Sequence, residues 1–127
     1  MTILTHVFVG TNDVERARKF YDAVLSALGS KRVMDFETGS GWGKEAPEFL
    51  VTIPIDGQPA THANGGTIGF AAPSRKAVQE FHKLALANDG KDISAPSPRP
   101  QITPTAYAAY VRDPDDNKIC TYCYLPE

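Results

Sequence analysis

The 127 residues carry 13 Lys and Arg against 15 Asp and Glu, a formal net charge of −2, with 42% hydrophobic side chains. That is enough chain to close one core without disulfides or a structural metal, and the balanced charge, with no basic run or stripe, argues against a nucleic-acid partner. No apolar run is long enough to cross a bilayer, and "MTILTHVFVG" lacks the basic start and small-residue cleavage site of a signal peptide, so the expected location is cytoplasmic.

In chain order, "ILTHVFVG" reads as a strand with a histidine at its centre, His6 sharing a face with Leu4 and Phe8 while Ile3, Val7 and Val9 take the other. Val14, Ala17, Phe20, Tyr21, Val24, Leu25 and Leu28 then make one apolar helical stripe, capped by Asn12 or Asp13 and stopped at Gly29. "KRVMDFE", a short piece around Trp42 and "EFLVTIPI" are strand-like, and "DGQPATHANGG" is a connection. From "GTIGFAA" the pattern starts again. "THVFVGTNDVERARKFYDAVLSALG" lies over "GTIGFAAPSRKAVQEFHKLALANDG" without a gap, which puts Phe20 on Phe81, Gly29 on Gly90, Val7 on Ile68 and Val9 on Phe70. Ala77, Val78, Phe81, Leu84 and Ala85 repeat the stripe, with Ser74 as cap and Gly90 as stop.

The second copy continues through "SAPSPRPQITPT", read as a proline-rich loop, then "AYAAYVRD", the tight turn "DPDDN" with Asp116 or Asn117 at positive φ, and "NKICTYCYL". The expected architecture is therefore α+β: one domain, residues 1–127, made of tandem β-α-β-β-β modules, the first about 1–57 and the second about 65–127. The helices lie on one side of two mixed sheets, whose other faces curl together to enclose a cavity. Cys120 and Cys123 fall an odd number apart in an alternating strand, so they point to opposite faces and neither pair nor share a metal.

"HVFVGTNDVERARKFYDAVLSALG", "DPDDN" and the stretch from "FAAPSRKAVQEFH" to "AYAAYVRDPDDN" resemble the vicinal oxygen chelate superfamily, which comprises glyoxalase I, extradiol dioxygenases, fosfomycin-resistance enzymes and the metal-free bleomycin-resistance proteins. The resemblance covers the whole chain and is nearest to a bacterial glyoxalase-like branch. It implies a homodimer and a ligand cavity in which metal-dependent members bind one divalent ion through the first and last strands of each copy. Carried over, those positions fall on His6, which matches, on Thr67 in place of histidine, on Cys120 in place of glutamate, and on Thr52 where some members supply glutamate.

With three of four positions changed, the expected activity is metal-free binding of a small organic molecule without a cofactor, since catalytic metals usually take three or more protein ligands. The cavity candidates are His6, Phe8, Thr52, Thr67, Cys120 and Tyr122, with Arg99 on a loop near the mouth able to hold a carboxylate or phosphate. The alternative is a lyase, isomerase or dioxygenase-type enzyme. It would use metal-free acid–base chemistry, or a residual Zn, Ni, Mn or Fe held by His6 and Cys120; no catalytic residue is assigned. Trp42 reads as a cover over the mouth or an ordinary surface aromatic, and His62 and His82 as solvent-exposed.

Overall fold

The computed structural model describes residues 3–127. The first copy runs β1 (Val7–Gly10), α1 (Val14–Ser26), β2 (Lys31–Phe36), β3 (Gly39–Gly43) and β4 (Phe49–Thr52). The second runs β5 (Ile68–Ala71), α2 (Arg75–Ala87), β6 (Lys91–Pro98), β7 (Tyr107–Arg112) and β8 (Lys118–Cys123). Each makes a four-stranded mixed sheet of the same topology, β1-β4-β3-β2 and β5-β8-β7-β6, in which only the first pair is parallel. The β-α-β-β-β duplication is thus present in full. The sheets neither close on one another nor curl strongly, so the enclosed cavity expected from the sequence is replaced by open faces.

Local chemistry sets the helix ends. Asp13 accepts from the Arg16 N–H and Ser74 Oγ from the Ala77 N–H, each at 3.0 Å, satisfying a donor left free by the first turn. Gly29 ends α1 at φ +84°. The expected equivalent, Gly90, does not take that role, because Asp89 adopts φ +71° instead. Gly90 is required for close approach: a Cβ there would sit 2.6 Å from the Ala85 carbonyl and 2.8 Å from the Phe20 ring.

One face of each sheet is buried under its helix. Val7, Val9, Phe49, Val51 and Trp42 from the first sheet join Phe20, Tyr21, Val24 and Leu25 of α1; Ile68, Phe70, Val111 and Ile119 from the second meet Phe81 and Ala85 of α2. Edge-on contact between Phe49 and Phe70, centroids 5.0 Å apart, makes this one core across both copies. Trp42 is 1% exposed and donates its indole N–H to Asp22 at 3.0 Å, so it is neither a cover nor a surface aromatic. The glycines of this strand mark close packing: a Cβ at Gly39 would lie 1.8 Å from the Val51 carbonyl, and one at Gly43 2.0 Å from the Ala46 carbonyl. The proline-rich segment is likewise not a loop up to residue 98. It is the edge strand β6, with two register shifts, where prolines are tolerated because one side of the strand has no ladder to fill.

The "DPDDN" turn joins the copies. Asp116 takes φ +67°. Asp113, 1% exposed, accepts from the Tyr21 hydroxyl of α1 at 2.6 Å, from the Asn117 side chain at 2.9 Å and from the backbone N–H groups of Asp115 and Asn117 at 2.9 Å. Asp115 accepts from Thr11 Oγ1 at 2.6 Å, Asn12 N–H at 3.0 Å and Arg16 at 3.2 Å, and the Asn117 amide donates to the Gly10 carbonyl at 3.0 Å.

Two measurements check these assignments. Gly39→Ala should destabilise the protein by more than about 3 kcal/mol, because the obstacle is backbone, whereas Gly29→Ala should cost about 1–2 kcal/mol for its left-handed φ alone; urea unfolding separates them. Burial pushes the Asp113 carboxyl above its ordinary value despite the hydrogen bonds that pull it down. The folded state therefore binds that proton more tightly than the unfolded chain, and the contribution falls as pH rises through the raised folded value. The stability advantage of the wild type over Asp113→Asn should be largest below the ordinary carboxylate value of about 3.9 and shrink as pH rises towards neutrality.

Candidate functional site

In both sheets the face turned away from the helix carries no helix of its own. Strand register identifies the residues that share it. Across the first sheet the row Phe8, Leu50, Gly41, Met34 lies on this open face, with Phe8 50% and Met34 42% exposed, and Pro47 folds against Gly41 and Leu50. Across the second sheet the equivalent rows are Gly69, Cys120, Tyr110, Ser94 and Ala71, Tyr122, Ala108, Ser97, with Lys118 and Arg112 paired beside them. The first sheet is thus apolar on its open face and the second is polar and aromatic.

The second sheet's open face holds the denser constellation. Tyr110 and Tyr122 share a hydroxyl–hydroxyl hydrogen bond of 2.6 Å with their rings edge-on at 5.9 Å, and Tyr124 stacks on Tyr122 at 5.5 Å. Cys120 is paired with Tyr110 across β7 and β8, and a Cβ at Gly69 would sit 3.4 Å from its sulfur. The Arg99 guanidinium lies 5.4 Å from the centre of the Tyr110 ring and the Lys118 ammonium 5.5 Å from it. Burial pushes up both the Cys120 thiol and, together with the bond to Tyr122, the Tyr110 phenol. Both are neutral at physiological pH, so Cys120 is a packed thiol rather than a thiolate nucleophile.

The sequence candidates separate on this frame. Cys120 and Tyr122 meet in one cluster with Arg99, whose Nη2 donates to Ser94 Oγ at 2.7 Å and to the Ala95 and Ala108 carbonyls at 3.3 and 3.2 Å. His6 and Phe8 meet on the other sheet, rings edge-on at 5.6 Å. His6 immediately precedes β1 and is exposed, with Nδ1 3.0 Å from Thr5 Oγ1, rather than central to a buried strand. Thr52 spends its hydroxyl on Thr38 Oγ1 at 3.0 Å and the Ile53 carbonyl at 3.1 Å; Thr67 is exposed just before β5. Register also shows that Thr52 and Cys120 are not counterparts. Thr52 pairs with Gly10 as Tyr122 pairs with Ala71, while the counterpart of Cys120 is Leu50.

Sequence reasoning missed Tyr110 and Lys118: alternation along "NKICTYCYL" puts Lys118 on the face of Tyr122, while Tyr110 joins that face through its pairing with Cys120. His82 is not a free surface histidine: half-buried, it meets Asp92 at 2.7 Å on the helix side. Among the described residues no group of three His, Cys, Asp or Glu side chains gathers as metal ligands, and no contact joins His6 to Cys120. A recess of about 270 Å³ lies on the helix side of the second sheet, against Arg75, Gln79, Tyr107, Cys123 and Leu125, and is separate from these open faces.

A family model described as the Glyoxalase/Bleomycin resistance protein/Dioxygenase superfamily matches residues 3–121. Among solved structures, the chain is similar to a glyoxalase/bleomycin resistance protein from Albidiferax ferrireducens T118, with 42% identity, 96% of this chain and 98% of that one covered, and a TM-score of 0.86. A glyoxalase/bleomycin resistance protein/dioxygenase family enzyme from Burkholderia phytofirmans PsJN (17% identity, 98% and 100% covered, TM-score 0.72) shares the fold. So does a lactoylglutathione lyase from Agrobacterium tumefaciens (19%, 97% and 94%, TM-score 0.65). A comparison with curated proteins finds no match. By the span of the family model and by its duplicated frame, the chain belongs to the glyoxalase/bleomycin resistance protein/dioxygenase superfamily.

Proposed function

We propose that this protein binds a small organic molecule on the open faces of its sheets, with Tyr110, Tyr122 and Cys120 forming the floor on one side and Phe8 and His6 contributing from the other. The observation that carries the reading is the contrast between the two faces of β8. Ile119, Thr121 and Cys123 are sealed in the core, while Tyr122 and Tyr124 on the alternate positions form an aromatic wall that no helix covers. An apolar surface with a few convergent polar groups is the usual composition of a small-molecule site.

Binding on this face uses no metal. Cys120 is held as a neutral thiol, and Thr52 and Thr67 offer at most weak neutral oxygens, so the donor set does not suit a divalent ion. A second copy of the chain is part of the same proposal: Phe8 and Met34 expose apolar surface on the first sheet's open face, and pairing would cover it and wall the site.

Titration with small aromatic compounds, followed by amide and side-chain NMR, should move the resonances of Tyr122, Tyr110 and Phe8 and leave the Trp42 indole N–H unmoved. Tyr122→Ala should weaken such binding tenfold or more, about 1.4 kcal/mol. Dialysis against EDTA should change neither binding nor melting temperature, and sedimentation should give a dimer. Close to one metal per chain, removed by EDTA with a fall in melting temperature, would overturn the metal-free reading. Shifts centred on Trp42 would overturn the site.

A further inference from the structure

The open face of the second sheet is rich in donors and positive charge and poor in acceptors. Arg99 and Lys118 approach the same Tyr110 ring, at 5.4 and 5.5 Å. Among the described residues neither has a carboxylate within ion-pair distance, although Arg16, Arg18, Arg32, Arg75 and Lys91 all do. Arg99 meets only neutral oxygens, through one terminal nitrogen, and its Nε is buried with no acceptor. Lys118 donates no hydrogen bond to any described residue beyond its approach to the ring. Since Tyr110 and Tyr122 bond to each other, one hydroxyl of the pair keeps its proton to donate outward.

Two cations without carboxylate partners beside one half-buried ring make this face positive, and a bound anion would supply the acceptors that they lack. Beside them, the Tyr122 and Tyr124 rings, stacked at 5.5 Å, offer a flat apolar platform. Resting on the ligand-binding reading above, we infer that the molecule held here is an organic oxyanion, a carboxylate or phosphonate on an aromatic body, with its charge drawn to the positive face that Arg99 and Lys118 make beside Tyr110 and its ring against the tyrosines.

The chain has five tyrosines, which makes ¹³C-tyrosine NMR a local reporter. The probes are benzoate, phenylphosphonate and the neutral isostere benzamide. Either oxyanion should shift Tyr110 and Tyr122 while leaving Tyr21, buried on the inner face of α1, in place, and benzamide should bind at least tenfold more weakly; the stronger oxyanion identifies the head group. Lys118→Gln, which removes a charge but no hydrogen bond, should weaken the oxyanion tenfold or more, leave benzamide unchanged and keep the melting temperature. Equal binding of benzoate and benzamide at Tyr110 and Tyr122 would overturn the anion inference while leaving the ligand face intact. No shift at these tyrosines with any of the three probes would overturn the inference, and the wider aromatic titration then decides separately whether the face binds ligands at all.

Discussion

The carboxylate of Asp113 is the point on which the rest of the structure depends. It sits in a turn of the second copy, is almost wholly buried, and accepts a hydrogen bond from Tyr21 in the helix of the first. A charge removed from water is tolerated only when its lone pairs are satisfied, and here four donors converge on it. Its neighbour Asp115 takes Thr11, Asn12 and Arg16 from the first copy, and Asn117 reaches the Gly10 carbonyl at the end of β1. Five residues of turn thereby tie the start of one module to the last hairpin of the other. The aromatic core from Tyr21 through Phe49 and Phe70 to Phe81 fills the space that this clasp defines.

Within that frame the two copies have kept one face alike and let the other diverge. Facing the helices, Val7 and Ile68, Phe49 and Ile119, and Phe20 and Phe81 hold equivalent places in a single core. On the open side, Phe8 is matched by Gly69, Leu50 by Cys120 and Thr52 by Tyr122. The helix side is constrained by close packing, where a change of one methylene is felt, while the open side answers only to what it contacts. The outcome is an apolar sheet beside one that carries phenols and, near them, Arg99 and Lys118.

Much of the fold was legible because its signals are local and repeated. The alignment of Asp13 with Ser74 predicts where each helix begins, and both begin there, whereas the opening strand, read from residue 3, starts only at Val7. What failed depended on contacts between distant segments. Trp42 between glycines reads as exposed until β3 is seen pressed against Val51 and Ala46, and Gly90 reads as a helix stop until Phe20 is found against it. Prolines at 96 and 98 suggest a loop unless the strand is known to lie at an edge. The site was legible only in part. Alternation places Cys120 and Tyr122 on one face, but only pairing between β7 and β8 brings Tyr110 to them, and only the return of the chain after β6 lays Arg99 across its ring.

The central claim is that the Asp113 turn locks the two modules into one body and so fixes the open faces relative to one another. Amide hydrogen exchange on Asp113→Asn compared with the wild type tests it most directly, because exchange reports the opening of each element separately. The account predicts that protection falls together in β1 and α1 of the first copy and in β8 of the second, while the hairpin of β2 and β3, far along the sheet from the turn, changes least. Faster exchange confined to residues 113–117, with β1, α1 and β8 as protected as before, would contradict it.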